Sequence, residues 1–376
     1  MNRQKAKSNR IEISVIGSGI AGITTSFYLA KKGYKVNLID PKVNSKINNL
    51  NPNNGTQAAL GVLMGNIYKR SKGRAFLLRN QSMKLWKEWL IEIDNYKSNL
   101  IFENPLIKLA SSEQEYQSMI EISKNKKEYG VELLDKNSIE FWNSIFEKKL
   151  IGGLISHNDG RLNPIKLLKL LMQRLDAMKV NKIEANVIRI TKTLTSLNKN
   201  WTIYLENKNS IYQDYIVICS AINTQKLLNP LGHVINLEQI LGQVIELEVE
   251  NNLTNWRQWP AILNYQSINF IHQNPNHIIM GATIEKGTKP SLSNKQEMLN
   301  MNNLAPAWIK QAKIVKEWHG IRARPTNEPS PLLKELEPGL FINTGHYRNG
   351  ILLAPSCAEW IGLKIDEKLR IFILSQ

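Results

Sequence analysis

Cysteine is almost absent from this chain. Only Cys219 and Cys357 occur in 376 residues, both inside apolar stretches, so neither a disulfide framework nor a thiolate metal site can be assembled from them. That scarcity fits a reducing, cytoplasmic setting. No apolar run approaches the roughly 20 residues needed to span a membrane. The basic leader MNRQKAKSNR is followed only by a short apolar strand, so no signal peptide is expected of it. Blocks of five like charges, internal repeats and low-complexity linkers are missing as well, which removes binding tails and solenoid architectures. Negative charge is in short supply, and the net charge is +17. Alone, that excess would suit nucleic acid or an acidic membrane surface. The basic residues are scattered among many Asn and Ile, however, as a background bias in composition produces, so no polyanion partner is expected. With 42% hydrophobic and 22% charged residues, the chain is long enough for two domains with separate cores.

What is present is organised around Ile11 to Asp40. Ile11 to Ile16 is an apolar run that reads as a buried strand; Gly17-Ser18-Gly19-Ile20-Ala21-Gly22 turns; Ile23 to Lys32 has helical spacing. Gly33 ends the helix, Tyr34 to Ile39 reads as a second strand, and Asp40 closes it. Gly17 permits the turn, Gly19 lets backbone approach a pyrophosphate, and Gly22 lets the helix pack on the strand. The free N–H groups and dipole of the helix N-terminus favour phosphate, while Asp40 can accept hydrogen bonds from a ribose. This is a dinucleotide-binding unit, and by itself it does not separate FAD from NAD.

Further along, Gly55 to Gly61 holds Thr56, Gln57 and Ala58 in a run of mostly small residues suited either to close approach of a cofactor or to an ordinary turn. Arg74 to Ile93 predicts a helix whose Trp86 and Trp89 belong to a core face. Ser112-Glu113-Gln114-Glu115 is a capping box opening a helix to about Tyr129. A strand is expected at Leu150 to Ser156, a helix at Ile165 to Met178 begun at Pro164, and strands at Lys182 to Ile190, Trp201 to Leu205 and Tyr215 to Ser220. Tyr215 to Ala221 is apolar throughout, as in a parallel strand covered on both faces. Alternating strands from Ile240 to Ile284 predict a mainly antiparallel sheet. Near the C-terminus, Trp318-His319-Gly320-Ile321-Arg322-Ala323-Arg324-Pro325 offers two guanidinium groups, the cation suited to bidentate carboxylate binding. Gly345-His346-Tyr347-Arg348-Asn349-Gly350 then feeds a final helix at Ile351, whose N-terminus can stabilise negative charge.

These residues carry a resemblance. GHYRNGILLAP from Gly345, with GSGIAG from Gly17 and WHGIR from Trp318, resembles the D-amino-acid-oxidase-like FAD-dependent oxidoreductases, most closely the glycine oxidases of thiamine biosynthesis. Between these segments it is carried only by Asp159-Gly160, Leu241-Gly242-Gln243 and Gly281-Ala282-Thr283. The resemblance implies an α/β fold with a discontinuous Rossmann-type FAD domain, 1–80, 151–225 and 331–376, and an inserted substrate domain, 81–150 and 226–330. It implies FAD bound non-covalently by Gly17, Gly19, Ile20, Ala21, Gly22, Asp40, Thr56, Gln57, Ala58, Val187, Ser220, Ala221, Gly345, Tyr347, Arg348, Asn349, Gly350 and Ile351. Arg322 would bind a substrate carboxylate and Arg348 would lie near substrate and flavin; no metal is implied.

The implied reaction is hydride transfer from a small amino acid or amine, glycine- or sarcosine-like, to flavin, giving an imine and then an oxo acid. Oxygen or another acceptor would take the electrons, with hydrogen peroxide as the product of oxygen. Two departures bear on the substrate. Ala323-Arg324 intervenes between Arg322 and Pro325, which leaves Arg324 as a second carboxylate candidate, and the tyrosine that often helps hold the carboxylate is replaced near Asn269 to His272. Phe270 and Tyr265 are expected to narrow the pocket. No cysteine lies where flavin is attached covalently in relatives, Cys357 reads as an apolar helix residue, and His319 and His346 read as structural. A flavin oxidase acting on a modified tRNA uridine and a flavin protein without catalysis are the alternatives, and self-association into a homo-oligomer stays open.

Overall fold

The computed structural model describes residues 11–47, 54–94, 100–194, 199–250 and 256–374; the leader and part of the Asn-rich loop after Pro41 lie outside the described residues. Among the described residues, hydrophobic patterning divides the chain between two large sheets. In the first, Leu332–Glu337, Leu340–Thr344, Tyr215–Ile218, Glu12–Ile16, Lys35–Ile39 and Asn181–Ile183 lie side by side in that order. All neighbours are parallel except the hairpin formed by the first two. Tyr215–Ile218 is buried at every position. One face is covered by the helices Ile20–Lys31, Arg74–Asp94, Pro164–Ala177 and Gly350–Leu374, whose shared core holds Phe27, Trp86, Leu171 and Cys357. The other face carries a small antiparallel sheet of Val187–Lys192, Trp201–Leu205 and Ser210–Gln213. The fold is α/β, with a Rossmann-type sheet sandwiched between these layers.

The C-terminal helix contains Pro355, which has no N–H to give to the carbonyl four residues earlier. That carbonyl, on Ile351, instead accepts the Trp86 indole N–H at 2.9 Å. Two distant segments are thereby tied together, and the start of the helix is held in place.

The second sheet has nine strands and is mostly antiparallel. Its order is Glu285–Lys286, Leu237–Glu248, His277–Gly281, Ile268–Asn274, Ile262–Tyr265, Leu106–Leu109, Gly153–Ser156 and Val131–Leu133, with Lys313–Pro325 running antiparallel along Leu237–Glu248. One face packs Leu263, Tyr265, Phe270 and Met280 against Trp142, Phe146 and Trp308. The opposite face turns towards the first sheet.

The structure departs from the sequence reading in three places. Most of the helix Arg74–Asp94 falls on the substrate side of the boundary drawn after residue 80, yet its apolar face joins the Rossmann-type core. Conversely, Gly153–Ser156 lies beyond residue 150 but pairs with Leu106–Leu109 in the nine-stranded sheet; we propose boundaries near residues 94 and 156. The strand anticipated from Lys182 to Ile190 is two strands. Asn181–Ile183 pairs in the parallel sheet, and after a break at Glu184 to Asn186 the chain enters the small antiparallel sheet.

Candidate active site

A cavity of about 1180 Å³ lies between the two large sheets. It exceeds the roughly 300–1,000 Å³ of an ordinary small-molecule site, as a two-part cofactor with a substrate requires. On the Rossmann-type wall, Gly17 holds φ at 110°. A Cβ there would lie 2.7 Å from the Cys219 carbonyl oxygen, and one on Gly22 would lie 1.8 Å from the Gly17 carbonyl oxygen. Only glycine lets the helix Ile20–Lys31 begin so close to the strand ends. Ser18 N–H donates to Asp40 Oδ2 at 2.8 Å and Ile20 N–H to Thr56 Oγ1 at 3.1 Å. Those of Gly19 and Ala21 have no acceptor among the described residues. Free N–H groups on a helix N-terminus form an anion cradle. Asp40 also accepts from Lys42 N–H at 2.8 Å, which fixes its carboxylate and leaves lone pairs for hydroxyl groups.

At the other end of this wall, Gly345 and Tyr347 have φ of 64° and 53°. Tyr347 N–H donates to the Ala323 carbonyl at 3.1 Å, and Asn349 N–H to the His346 carbonyl at 3.0 Å. These bonds turn the chain from the strand Leu340–Thr344 so that the start of the final helix lines the cavity. Burial pushes the His346 imidazole down to about 4, so it is neutral at ordinary pH, and its Nε2 has no hydrogen-bond partner among the described residues. A phosphate cradle, a ribose acceptor and the start of the final helix along one wall fit a dinucleotide cofactor.

The nine-stranded sheet supplies the facing wall. Arg322 sits opposite Ile240, and its guanidinium lies over Gly242, where a Cβ would come within 2.1 Å of it. Nη1 donates to the carbonyls of Thr283 at 3.1 Å and Leu241 at 3.3 Å. The Thr283 turn is braced by Glu285, which accepts from the Thr283 hydroxyl, Gln243 Nε2 and Ser291 N–H. Burial and then the neighbouring Arg348 push Arg322 down to about 10, so it stays protonated at neutral pH. Among the described residues no carboxylate forms an ion pair with it. Arg324 differs. Its Nε and Nη2 both bind Glu238 Oε2, the former at 3.0 Å, its guanidinium lies 5.7 Å from the Tyr347 ring centre, and it does not line the cavity.

Of the anticipated cofactor positions, all but Gly22 line the cavity; Gly22 packs beneath the helix start. Arg322 and Arg348 line it too, and His319 does not. Cys357 is fully buried in the helix core and its thiol is pushed up to about 12 by burial. The expectation that Phe270 and Tyr265 narrow the pocket is overturned. Strand alternation turns both into the opposite core, where their ring centres lie 5.8 and 4.8 Å from that of Phe146. The residues beside them in sequence, Asn264 and Asn269, line the cavity together with Lys108. Sequence reasoning passed over Asn264 and Lys108, and named Asn269 only as part of the segment in which a tyrosine is replaced. The signal was the interruption of apolar runs by Asn at alternating positions.

A dinucleotide cradle therefore faces a sheet-borne guanidinium that has no carboxylate partner among the described residues. The family model described as DAO, FAD dependent oxidoreductase, matches residues 12–362, and the chain belongs to this family. It is an FAD-dependent oxidoreductase. A glycine oxidase of Bacillus licheniformis is 22% identical over 363 residues, 93% of this chain and 91% of that protein. The bifunctional protein ThiO/ThiG of Nostoc is 23% identical over 95% of this chain and 53% of its own length. Among solved structures, glycine oxidase from Bacillus cereus superposes with a TM-score of 0.77 at 19% identity, covering 95% of each chain. Among the described residues no helix is long and apolar enough to cross a membrane.

Proposed function

We propose that this enzyme oxidises an amino acid at the carbon next to its carboxylate, with FAD held non-covalently. The observation that carries the reading is Arg322, a half-buried guanidinium that faces the cofactor wall with no carboxylate partner among the described residues. Such a group demands an anion, and a guanidinium binds a carboxylate through two parallel hydrogen bonds. The carbonyls of Thr283 and Leu241 occupy Nη1 and leave donors on Nη2 and Nε for the substrate. Arg348 adds a second positive charge at the cavity and disfavours protonation of the bound carboxylate. Bound FAD would supply a two-electron acceptor for oxidation of the substrate to an imine; water would hydrolyse the imine to an oxo acid and ammonia or an amine, and oxygen would take the two electrons from the cofactor to become hydrogen peroxide. Thr56, Asp40 and the Tyr347 turn would hold the cofactor, so that the substrate carbon would meet it in one orientation.

Glycine and sarcosine are the smallest substrates meeting these requirements, and the names of the relatives support starting with them. A part in thiamine biosynthesis rests on the same names. The test is anaerobic: a small amino acid should bleach the yellow protein, and air should restore the colour with release of peroxide and the matching oxo acid. Acid precipitation should release the flavin into the supernatant. Inertness towards every amino acid would overturn the oxidase reading, and colour kept by the pellet would overturn non-covalent binding.

A further inference from the structure

The cavity face of the nine-stranded sheet changes character from one cross-strand row to the next. Leu106, Ile262, Ile271 and Ile279 form a buried apolar cluster on this face. Two residues along three of these strands stand Lys108, Asn264 and Asn269, which register places side by side, Asn264 between the other two. The two asparagines are 5% and 7% exposed, and both line the cavity. Burying two amides beside a row of Leu and Ile costs free energy unless their hydrogen bonds are made.

Their internal bonds are only half of what they can make. Asn264 Nδ2 donates to the Ile268 carbonyl at 3.3 Å and to Asn269 Oδ1 at 2.9 Å. A backbone carbonyl can only accept, so the Asn264 amide must present nitrogen there, and Asn269 must present oxygen to that nitrogen. Two groups remain: Asn264 Oδ1, an acceptor, and Asn269 Nδ2, a donor, neither with a partner among the described residues. Lys108 is paired with Glu115 at 2.6 Å, so the row adds little net charge. An acceptor beside a donor matches a neutral group that both donates and accepts. A carboxylate would meet the lone pairs of Asn264 Oδ1.

Position sets the size of the ligand. The Arg322 guanidinium lies over Gly242, and Asn269 lies two strands away, level with Val244. Strand spacing and rise put these backbone sites about 12 Å apart. Allowing about 3 Å for a hydrogen bond at each end leaves about 6 Å between the two anchored groups. Glycine and sarcosine are too short to reach both. We infer that Asn264 and Asn269 are specificity-determining residues that bind a carboxamide at the far end of an amino-acid substrate whose carboxylate is held by Arg322. This rests on the amino-acid reading above and sharpens its substrate class.

The test uses ligands that cannot be oxidised, on the FAD-loaded protein, followed by perturbation of the flavin spectrum. Glutaramate has the carboxylate and carboxamide at this separation and no amine; 5-methylhexanoate is its apolar match; glutarate replaces the amide by a second carboxylate. Glutaramate should bind at least about ten-fold more tightly than 5-methylhexanoate and more tightly than glutarate, because an unpaired amide pair rejects the apolar analogue. In Asn269→Leu the advantage over 5-methylhexanoate should fall to within about two-fold. Equal or tighter binding of 5-methylhexanoate to the unaltered protein overturns the proposal without any variant. Tighter binding of glutarate overturns the carboxamide assignment, and an advantage that survives in Asn269→Leu overturns the role of that residue. Failure here leaves amino-acid oxidation standing, since that is read from flavin bleaching. Absence of bleaching by any amino acid leaves a glutaramate preference standing.

Discussion

The two walls of the cavity present different kinds of group. The Rossmann-type wall works mostly through backbone: N–H groups at a helix start, two glycines pressed against carbonyls, and a turn whose Gly345 and Tyr347 have positive φ. The nine-stranded wall presents side chains standing on strands, namely Arg322, Asn264 and Asn269. Backbone recognition tolerates few residue types at its tight points and is indifferent elsewhere. Side-chain recognition leaves the strand intact whatever stands on it. Substitutions at the tight points of the first wall should therefore damage fold and cofactor together, and those on the second should alter ligand choice alone.

The largest effect should come from Gly22→Ala. Its new Cβ would lie 1.8 Å from a carbonyl oxygen, an overlap of backbone that side-chain motion cannot relieve, costing about 3 kcal/mol or more. Thermal unfolding and flavin content per chain should both fall. Gly19→Ala is the control, since its nearest neighbour would be Thr56 Oγ1 at 3.6 Å. That variant should keep its melting temperature and lose only FAD affinity. Normal flavin content in Gly22→Ala would break the comparison at its strongest point.

His346 is the side chain on the backbone-dominated wall whose burial carries a pH signature. Its folded value of about 4 lies below the ordinary 6.5, so between those values the unfolded chain binds a proton that the folded chain does not. Stability should therefore be full above about pH 6.5, fall as the pH drops towards 4, and lose about 3 kcal/mol in all by linkage. Denaturant titrations across that window should show a slope that His346→Gln lacks. An identical slope in the variant would assign the loss to other groups.

On the facing wall, Arg322→Lys keeps the charge and loses the planar fork. Carboxylate ligands should bind about 1–3 kcal/mol more weakly, while the flavin spectrum and melting temperature stay close to those of the unaltered protein. Since Arg322 is charged only below about 10, the affinity of the unaltered protein should be present at neutral pH and decline as the pH rises through that value. Loss of FAD along with substrate would make Arg322 part of the scaffold.

The same contrast explains what could be read from the sequence. The glycine turn, Asp40 and the turn before the final helix were legible because backbone geometry demands particular residues at fixed spacing. The choice between Arg322 and Arg324 was not, because residues two apart on a strand share a face; what separates them is Gly242 beneath one and Glu238 beside the other, both on a neighbouring strand. Register likewise decided that Asn264 and Asn269 face the cavity while Tyr265 and Phe270 do not. The Trp86 bond to the Ile351 carbonyl was hidden by 265 residues of separation. A bond of that kind follows from the packed helices and leaves no pattern in the chain.

The smallest effect should belong to Arg324→Gln, and it tests the comparison most finely. Arg324 lies two residues from Arg322 on the same strand, and the sequence alone ranks it as a carboxylate ligand of equal chemistry. In the structure Glu238 takes its Nε and Nη2, and the pair stands outside the cavity. A partly exposed ion pair of this kind contributes little and weakens with salt. Glutaramate affinity in Arg324→Gln should stay within about two-fold of the unaltered protein at moderate salt. Its response to pH should be unchanged, because Arg322 still carries the charge that declines near pH 10. Affinity that drops as far as in Arg322→Lys would move the carboxylate site to Arg324. The side-chain wall would then extend beyond the cavity, with Glu238 as the group that the substrate must displace.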